Sequence, residues 1–258
     1  MEQALEQKQL ITKEQSDSIT RWQEEEVLLL ARHFQRLNID NKTSTSHYSR
    51  TNFFEMNTDD IKTLNTLKDI KSIRIYMSLE DEDKNKFTFH PIINIKYGSA
   101  GNEVWFTLEA KYQKPKVPIA ANVNDGGTIV PGIFKEMILA NWNSVEDNLI
   151  DDLFVAKDER TRALTRVNFF NVSSDMVLEL FNTTLQDNIS RFIMYPGVDM
   201  NKFQHRNMIS FTPVIGIVPD TKVLTEVISR HGLVEFDNEE IFIEYSKPCP
   251  PTCPPNSN

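Results

Sequence analysis

Side chains suited to proton transfer and metal binding are sparse in this sequence. Histidine, the residue most often used for proton transfer near neutral pH, occurs five times and is scattered along the chain. No two histidines stand four residues apart, the spacing of a zinc-binding pair on a helix. The chain lacks a P-loop, a dinucleotide-binding glycine motif, His-Glu-x-x-His and Cys-x-x-Cys. We therefore assign no catalytic residue, no metal site and no cofactor, and we favour a protein that is not an enzyme.

The first candidate binding residues are Arg74, Tyr76 and His90. Alternation along a predicted strand places Arg74 and Tyr76 on one face and Ile73 and Ile75 on the other. An Arg beside a Tyr on a sheet face can bind a carboxylate or the main chain of a partner. The plainer alternative is an Arg paired with an acidic neighbour. His90 is the one histidine in a predicted strand, where a structural role is the plainer alternative.

The second candidate binding site is the tail, where Cys249 and Cys253 stand among five prolines. The two thiols could close a small disulfide loop or supply two metal ligands, although two further ligands would be missing. Prolines favour an extended chain of the kind that aromatic grooves recognise. The tail could therefore dock on a partner, or it could simply be exposed.

Length, charge and hydropathy limit the class of protein. The chain has 258 residues and a formal net charge of −9 at pH 7, so it repels phosphate backbones and we expect no nucleic-acid partner. Its apolar stretches fall short of the roughly 20 residues that a membrane span requires, so we expect no membrane partner. The first twelve residues are polar and mixed in charge, unlike a secretory signal, which favours a cytoplasmic location.

Several segments of the first half return, in the same order, in the second half. Arg50–Phe54 (RTNFF) matches Arg166–Phe170 (RVNFF). The other matches are Ser72–Tyr76 with Arg191–Tyr195, His90–Ile95 with Thr212–Ile217, and Glu103–Phe106 with Glu240–Ile243. This order predicts a tandem duplication with a unit of roughly 120 residues.

Each predicted unit has the order helix, helix, strand, strand, strand, and the predicted fold class is α+β. The units are residues 1–115 and 131–246, joined by a linker at 116–130 and followed by the Pro/Cys-rich tail at 247–258. We expect the two repeats to pack as a pseudo-twofold body with a groove between them.

The periodicity also predicts the elements within each unit. In the first unit we predict a helix from Thr12 to about Leu37, a short helix at about 58–68 and strands at about 72–78, 87–97 and 103–112. In the second unit we predict helices at about 131–142, 144–157 and 174–185, and strands at about 190–195, 208–218 and 240–245. Asp220–His231 is predicted as an inserted helix, and Leu233–Phe236 as a short strand.

Three segments carry a resemblance to a known family: Ile11-Thr12, Ile73-Arg74-Ile75-Tyr76 and Cys249-Pro250-Pro251-Thr252-Cys253. On these residues the chain resembles an uncharacterised family of small proteins from Bacteroidota-type bacteria. Members have an opening helix, an Ile-Arg-Ile-Tyr strand and a closing Cys-Pro-Pro-x-Cys tail. The resemblance covers most of the first unit and the tail, and it implies architecture only, because the family has no assigned activity. This chain differs in being doubled, and its second unit lacks the Arg-Ile-Tyr triplet.

The absence of an intact catalytic motif, together with a duplication that enlarges a contact surface, predicts a non-enzymatic protein-binding or assembly module. Its partner would be another protein or a second copy of this chain. The alternative is an enzyme or small-ligand-binding protein with its site in the groove between the repeats, built from Arg74, Tyr76 and His90.

Overall fold

A computed structural model describes residues 10–24, 30–37, 48–112, 129–130, 132–158, 160–172, 175–205, 207–219, 240–243 and 246–249. These residues form helices together with antiparallel sheets, which confirms the predicted α+β class.

The first half opens with helix α1, whose start matches the predicted capping box. Thr12 Oγ1 accepts a hydrogen bond from the Gln15 amide at 3.2 Å, and Gln15 Oε1 accepts one from the Thr12 amide at 3.1 Å. The elements of this half are α1 (Lys13–Glu24), a 3₁₀ helix (Leu30–Phe34), β1 (Gln35–Leu37), β2 (Tyr48–Arg50), β3 (Phe53–Glu55), α2 (Thr58–Thr66), β4 (Ile70–Tyr76), β5 (Ile92–Tyr97), β6 (Asn102–Thr107) and β7 (Glu109–Lys111).

The second half follows a similar order. Its elements are β8 (Ile129–Val130), α3 (Gly132–Ser144), a 3₁₀ helix (Asp147–Leu149), α4 (Ile150–Leu153), β9 (Val155–Lys157), β10 (Leu164–Arg166), β11 (Phe169–Val172), α5 (Asp175–Asn182), β12 (Ile189–Val198), α6 (Met200–Phe203), β13 (Phe211–Pro219), β14 (Ile241–Ile243) and β15 (Ser246–Cys249).

Two sheets carry the fold, and each contains strands from both halves. Sheet I has the strand order β15-β11-β4-β5-β6, and sheet II has the order β7-β3-β12-β13-β14-β8. Strand β3 of the first half thus pairs with β12, and strand β11 of the second half pairs with β4. Exchanging β3 with β11, β4 with β12, β5 with β13, β6 with β14 and β7 with β15 turns one order into the other, apart from β8. We call positions related by this exchange counterparts.

Each half holds a tryptophan of the other half through a buried hydrogen bond. Trp22 Nε1 donates to the carbonyl oxygen of Val167 at 2.6 Å, and Trp142 Nε1 donates to that of Thr51 at 2.9 Å. Thr51 and Val167 are counterparts that lie just before the exchanged strands β3 and β11. The arginine that precedes each acceptor donates in turn to the carbonyl oxygen of the same tryptophan, at 3.1 and 2.7 Å. The crossing points are therefore fixed by matching bonds.

An asparagine at the end of a short helix fixes the start of a strand from the other half. Asn65 on α2 accepts from the Ile189 amide at 3.0 Å and donates to the Ile189 carbonyl at 2.8 Å. Asn182 on α5 makes the same two bonds to Ile70, at 2.6 and 2.8 Å. Because an asparagine amide offers one acceptor and two donors, one side chain satisfies both backbone groups.

A single apolar core is shared by the two halves. The inner faces of both sheets contribute to one continuous cluster of buried side chains. Aromatic rings of both halves meet at its centre, with Phe34 packing on Trp142 at 5.0 Å and Trp22 packing on Phe154 at 5.2 Å between ring centroids. Both halves therefore bury their apolar residues in the same core.

Several predicted elements were wrong in extent or type. The helix predicted to reach Leu37 is described over Lys13–Glu24, but Leu30–Phe34 form a 3₁₀ helix and Leu37 lies in β1 with 37% of its surface exposed. The helix predicted at 144–157 is reduced to short turns followed by β9. In both places the chain leaves helical geometry to pair with β2 or β10. Strands β3 and β11 were not predicted, because three or four residues show little alternation.

Some predictions fall on residues that the structure does not describe. These are most of the linker, the inserted helix at 220–231, the strand at 233–236 and the tail from residue 250 onward, including Cys253.

The shared sheets predict that neither half folds alone. We expect fragments 1–120 and 121–258 to be largely unfolded when separate. Sheet I then lacks β11 and β15, sheet II lacks β3 and β7, and apolar core residues of each fragment are exposed to water. Mixed after denaturation, they should form a one-to-one complex with the circular dichroism spectrum of the intact chain. A cooperative thermal transition from either fragment alone as a monomer would contradict this.

Candidate functional site

Arg74 and Tyr76 lie on the outer face of sheet I, the face that points away from the core. Arg74 has Asn171 on β11 as its neighbour on one side and Asn94 on β5 on the other, and Trp105 on β6 continues the row. The isoleucines on either side of Arg74 are fully buried on the opposite face. Arg74, Tyr76 and Trp105 are half-buried, so this face combines a cation with large aromatic rings.

The guanidinium of Arg74 contacts one aromatic ring and one tyrosine hydroxyl. Its central carbon lies 5.0 Å from the ring centroid of Phe169, and Nη1 lies 3.5 Å from the Tyr76 hydroxyl. The Tyr76 ring packs between Phe169 at 5.0 Å and Trp105 at 5.2 Å. Within the described part of the chain no carboxylate pairs with Arg74. The acidic neighbour of the plainer alternative is thus missing among these residues.

Unsatisfied polar atoms collect around Arg74. Among the described residues, the buried side-chain nitrogen and oxygen atoms without a hydrogen-bond partner are Ser72 Oγ, Arg74 Nε and Asn94 Oδ1. Asn94 is 1% exposed, and its Nδ2 donates to Glu103 at 3.1 Å. Buried polar atoms are normally hydrogen-bonded, so three unpaired atoms at adjacent positions on β4 and β5 mark an unusual site.

His90 occupies a structural position. Its Nδ1 lies 3.2 Å from the carbonyl oxygen of Leu108 and its Nε2 lies 3.1 Å from that of Phe87. Glu80 Oε1 is 3.6 Å from Nε2. Both ring nitrogens thus lie within hydrogen-bond distance of backbone carbonyls, and a neutral imidazole can donate to one of them.

Two clefts separate α1 from sheet I. One, of about 410 Å³, is lined by polar residues of α1 and by His90, and the other, of about 320 Å³, reaches Trp105. The hydrogen bond from Gln15 Nε2 to Thr107 Oγ1, at 3.1 Å, stands between them, since both residues line both clefts. Every lining residue belongs to the first half, so these clefts are not the groove expected between the repeats.

The counterpart helix α3 closes the same region of sheet II. Its apolar side chains pack on the outer face of that sheet, against Tyr195, Val214 and Phe242; they are Phe134, Met137 and Ile138. Trp22 and Trp142 occupy equivalent positions, because they make the matching hydrogen bonds described above. Counting back from them along each helix, the counterparts of Phe134, Met137 and Ile138 are Glu14, Asp17 and Ser18 on α1. These short or charged side chains line the 410 Å³ cleft instead of filling it.

Gly197 shows how closely the second half is packed. A β-carbon at this position would collide with Ile138 and stand 2.8 Å from the carbonyl oxygen of Thr212. Its counterpart is Ser78, which donates a hydrogen bond to the His90 carbonyl and lines the cleft. The absence of a side chain at Gly197 therefore makes room for Ile138, whereas Ser18 and Ser78 leave that room open.

A buried acidic pair on sheet II was missed by the sequence analysis. The Tyr195 hydroxyl donates to the Glu240 carboxylate, at 3.0 and 3.1 Å from its two oxygens, and Lys135 Nζ lies 4.9 Å from the Tyr195 ring centroid. A side chain at Gly216 would collide with the Glu240 carboxylate. Burial raises the pKa of Glu240, and burial and the nearby Glu240 charge raise the pKa of Tyr195. The sequence alone does not indicate that the carboxylate of Glu240, next to β14, is buried against Tyr195.

Cys249 lies in β15 at the edge of sheet I and is 3% exposed. It pairs with Phe169, and its carbonyl oxygen accepts from the Asn168 amide at 2.8 Å. Cys249 is disulfide-bonded, and the one other cysteine of the chain, Cys253, lies outside the described residues. The disulfide interpretation of the tail thus applies to Cys249, and this part of the tail is a sheet strand.

The described residues contain no group of three or more His, Cys, Asp or Glu side chains arranged to hold a metal ion. None of their helices has the length and apolar character needed to span a bilayer. No protein-family model, curated protein or solved structure matches the chain.

Glu240 should make stability depend on pH. Its pKa is higher in the folded than in the unfolded chain, so the free energy of unfolding should fall as pH rises from the ordinary glutamate range through the raised folded value. Glu240→Gln has no carboxyl group to titrate, so its free energy of unfolding should fall less than that of wild type between pH 4 and pH 8. Urea unfolding at both pH values measures it.

Tyr195→Phe provides the matched comparison. The Tyr195 hydrogen bond favours the ionised carboxylate and opposes the rise in pKa, so its loss should steepen the pH dependence. Equal pH dependence in wild type and Glu240→Gln would contradict this account.

Proposed function

We propose that the chain is a tandem duplication packed as a pseudo-twofold body, and that it works as a non-enzymatic protein-binding module. The binding surface in this proposal is the outer face of sheet I together with the clefts beneath α1. The partner is another protein.

Three reciprocal features support the duplication. The strand orders of the two sheets interconvert when counterparts are exchanged. The tryptophan bonds of Trp22 and Trp142 correspond, and so do the asparagine bonds of Asn65 and Asn182. Unrelated halves would have no physical reason to share these bonds.

The difference between the two outer faces carries the functional proposal. On sheet II, α3 fills the interface with apolar side chains. On sheet I, α1 places Glu14, Asp17 and Ser18 at the counterpart positions, and two clefts remain. Filling the first interface in the same way would stabilise the fold, so its openness supports a role in binding.

The residues on the open face suit a protein partner. Arg, Tyr and Trp are the side chains enriched at the energetic centres of protein interfaces, and Arg74, Tyr76 and Trp105 lie together here. His90 lies between the backbone carbonyls of Phe87 and Leu108, which supports a structural role for it.

The disulfide at Cys249 argues against the cytoplasmic location predicted from the sequence, because thiols in the cytoplasm are usually kept reduced.

A second candidate function is small-ligand binding in the larger cleft. Its volume of about 410 Å³ lies within the range of known ligand pockets, roughly 300–1,000 Å³. Its polar lining, which includes Arg21, Glu80 and Lys86, would suit a polar ligand. This replaces the site expected between the repeats.

Filling the cleft tests the proposed function. Ser18→Ile copies the counterpart residue Ile138, and it should abolish capture of a partner without lowering the melting temperature. Ser16→Ile is the matched control, because Ser16 lies on the same helix, is exposed and does not line either cleft. Affinity capture from a native lysate, quantified by mass spectrometry, compares them.

The proposal requires a protein captured by wild type and Ser16→Ile and lost with Ser18→Ile. Equal capture by all three proteins, or no capture by wild type, would contradict it.

A further inference from the structure

We infer that β6, at the edge of sheet I, binds an extended basic segment of the partner as an additional strand. The inference rests on the proposed function and names the form and the charge of the partner. In sheet II the counterpart edge, that of β14, is covered by β8.

The outer edge of β6 is open in the described part of the chain, where β5 is its one backbone partner. An edge strand carries unpaired N–H and C=O groups that another chain can bind, and short length or a proline usually limits such pairing. The other edge strands of the two sheets have this protection, since β7 and β8 have three and two residues and β15 contains Pro248. Strand β6 has six residues and no proline.

The strand registers identify the counterpart of this edge. On β6, Trp105 pairs with Asn94, and on β14, Phe242 pairs with Gly216, the residue that matches Asn94 in the repeat. Phe242 is therefore the counterpart of Trp105. On its other side Phe242 pairs with Val130 of β8. Sheet II thus has a strand at the place where the described part of sheet I has none.

A cleft marks this place in the first half. Counting back from the two tryptophans, the counterpart of Val130 is Leu10, which is 78% exposed. Leu10 and the half-buried Trp105 and Thr107 line the cleft of about 320 Å³. In the second half the corresponding residues, Val130 and Phe242, are directly paired. The cleft therefore gives access to the edge at Trp105 and room for the side chains of an added strand.

The lining of this cleft indicates the charge of the added strand. Among the described residues it contains the carboxylates of Asp60 and Glu109 and no basic side chain. Lys111 pairs with Glu109 at 2.6 Å but does not line the cleft. Opposite charges across an interface steer association and select partners. Because β8 consists of Ile129 and Val130, we expect a segment that combines β-branched residues with lysine or arginine.

Calorimetric titration of the full chain with two blocked pentapeptides tests the inference. Acetyl-Lys-Thr-Ile-Val-Lys-amide carries the sequence of residues 128–130 between two lysines, and acetyl-Glu-Thr-Ile-Val-Glu-amide reverses the charge. We expect the lysine peptide to bind about tenfold more tightly than the glutamate peptide. Glu109→Gln should weaken binding of the lysine peptide about threefold. Glu146→Gln, at an exposed position outside both clefts, is the matched control and should bind like wild type.

Two further measurements distinguish strand pairing from binding through side chains alone. In a paired strand, alternate N–H groups point toward the neighbour, so N-methylation of the peptide at Ile and at Val should differ. One methyl group should weaken binding at least about tenfold, and the other should leave it unchanged. Saturating lysine peptide should also slow hydrogen exchange at alternate amides of β6 and leave β15, at the opposite edge of sheet I, unchanged.

Equal binding of the two pentapeptides, equal effects of the two N-methyl groups or unchanged exchange of β6 would overturn the inference. Assignment of the edge to another occupant would overturn it too. Peptide binding only after removal of residues 1–9 would assign the edge to a segment of this chain. Protection of β6 that grows with protein concentration, without peptide, would assign it to a second copy.

The added strand and the proposed function can fail separately. Partner capture that is lost with Ser18→Ile, without any binding of the lysine peptide, would refute the added strand and leave the proposed function standing. Absence of both partner capture and peptide binding would refute both.

Discussion

The structure depends on the exchange of β3 and β11 between the two halves. Each of these short strands is an inner strand with one neighbour from the other half, β12 for β3 and β4 for β11, and one from the end of its own half, β7 or β15. Neither sheet is therefore complete within one half. The exchange brings Trp22 and Trp142 next to backbone of the opposite half, where each finds a buried acceptor. The shared core follows from the same crossing, because the inner faces of both sheets then face each other's side chains.

This constraint acts on the inner faces and leaves the outer faces free to differ. Inside, counterpart rings pack at similar distances, as in Phe34–Phe89 at 4.3 Å and Phe154–Phe211 at 4.4 Å. On the outside, the face of sheet II is covered by the apolar side chains of α3, whereas the face of sheet I has a cleft lined by polar residues. In the proposed duplication, the second half retains a packing role and the first half carries the binding surface. Function would then lie where the two halves are least alike.

Sequence patterns could predict the elements that are long and periodic. The α+β class, helix α3 and strands β4, β6 and β12 follow from apolar spacing that local structure alone produces. The short strands β3 and β11 could not be found in this way, because their pairing partners are distant in the sequence and leave no pattern in the strands themselves. The repeated Asn-Phe-Phe segments were visible, but nothing local indicates that each crosses to the other sheet.

The candidate site, too, could be predicted only in part. Alternation along β4 placed Arg74 and Tyr76 on one face, and the structure has them there. Asn94, Trp105 and Phe169 join them only through the register of three strands, which a pattern on one strand does not reveal. The Tyr195–Glu240 pair was missed for the same reason, since 45 residues separate its members.

Native-state hydrogen exchange tests the central claim that the two halves share one core and one folding unit. The claim predicts that the slowest amides of β4 and of its counterpart β12 exchange through the same global opening. Their opening free energies and their dependence on denaturant should then be equal. Two distinct opening free energies, one for residues before position 113 and one for residues after 128, would contradict it.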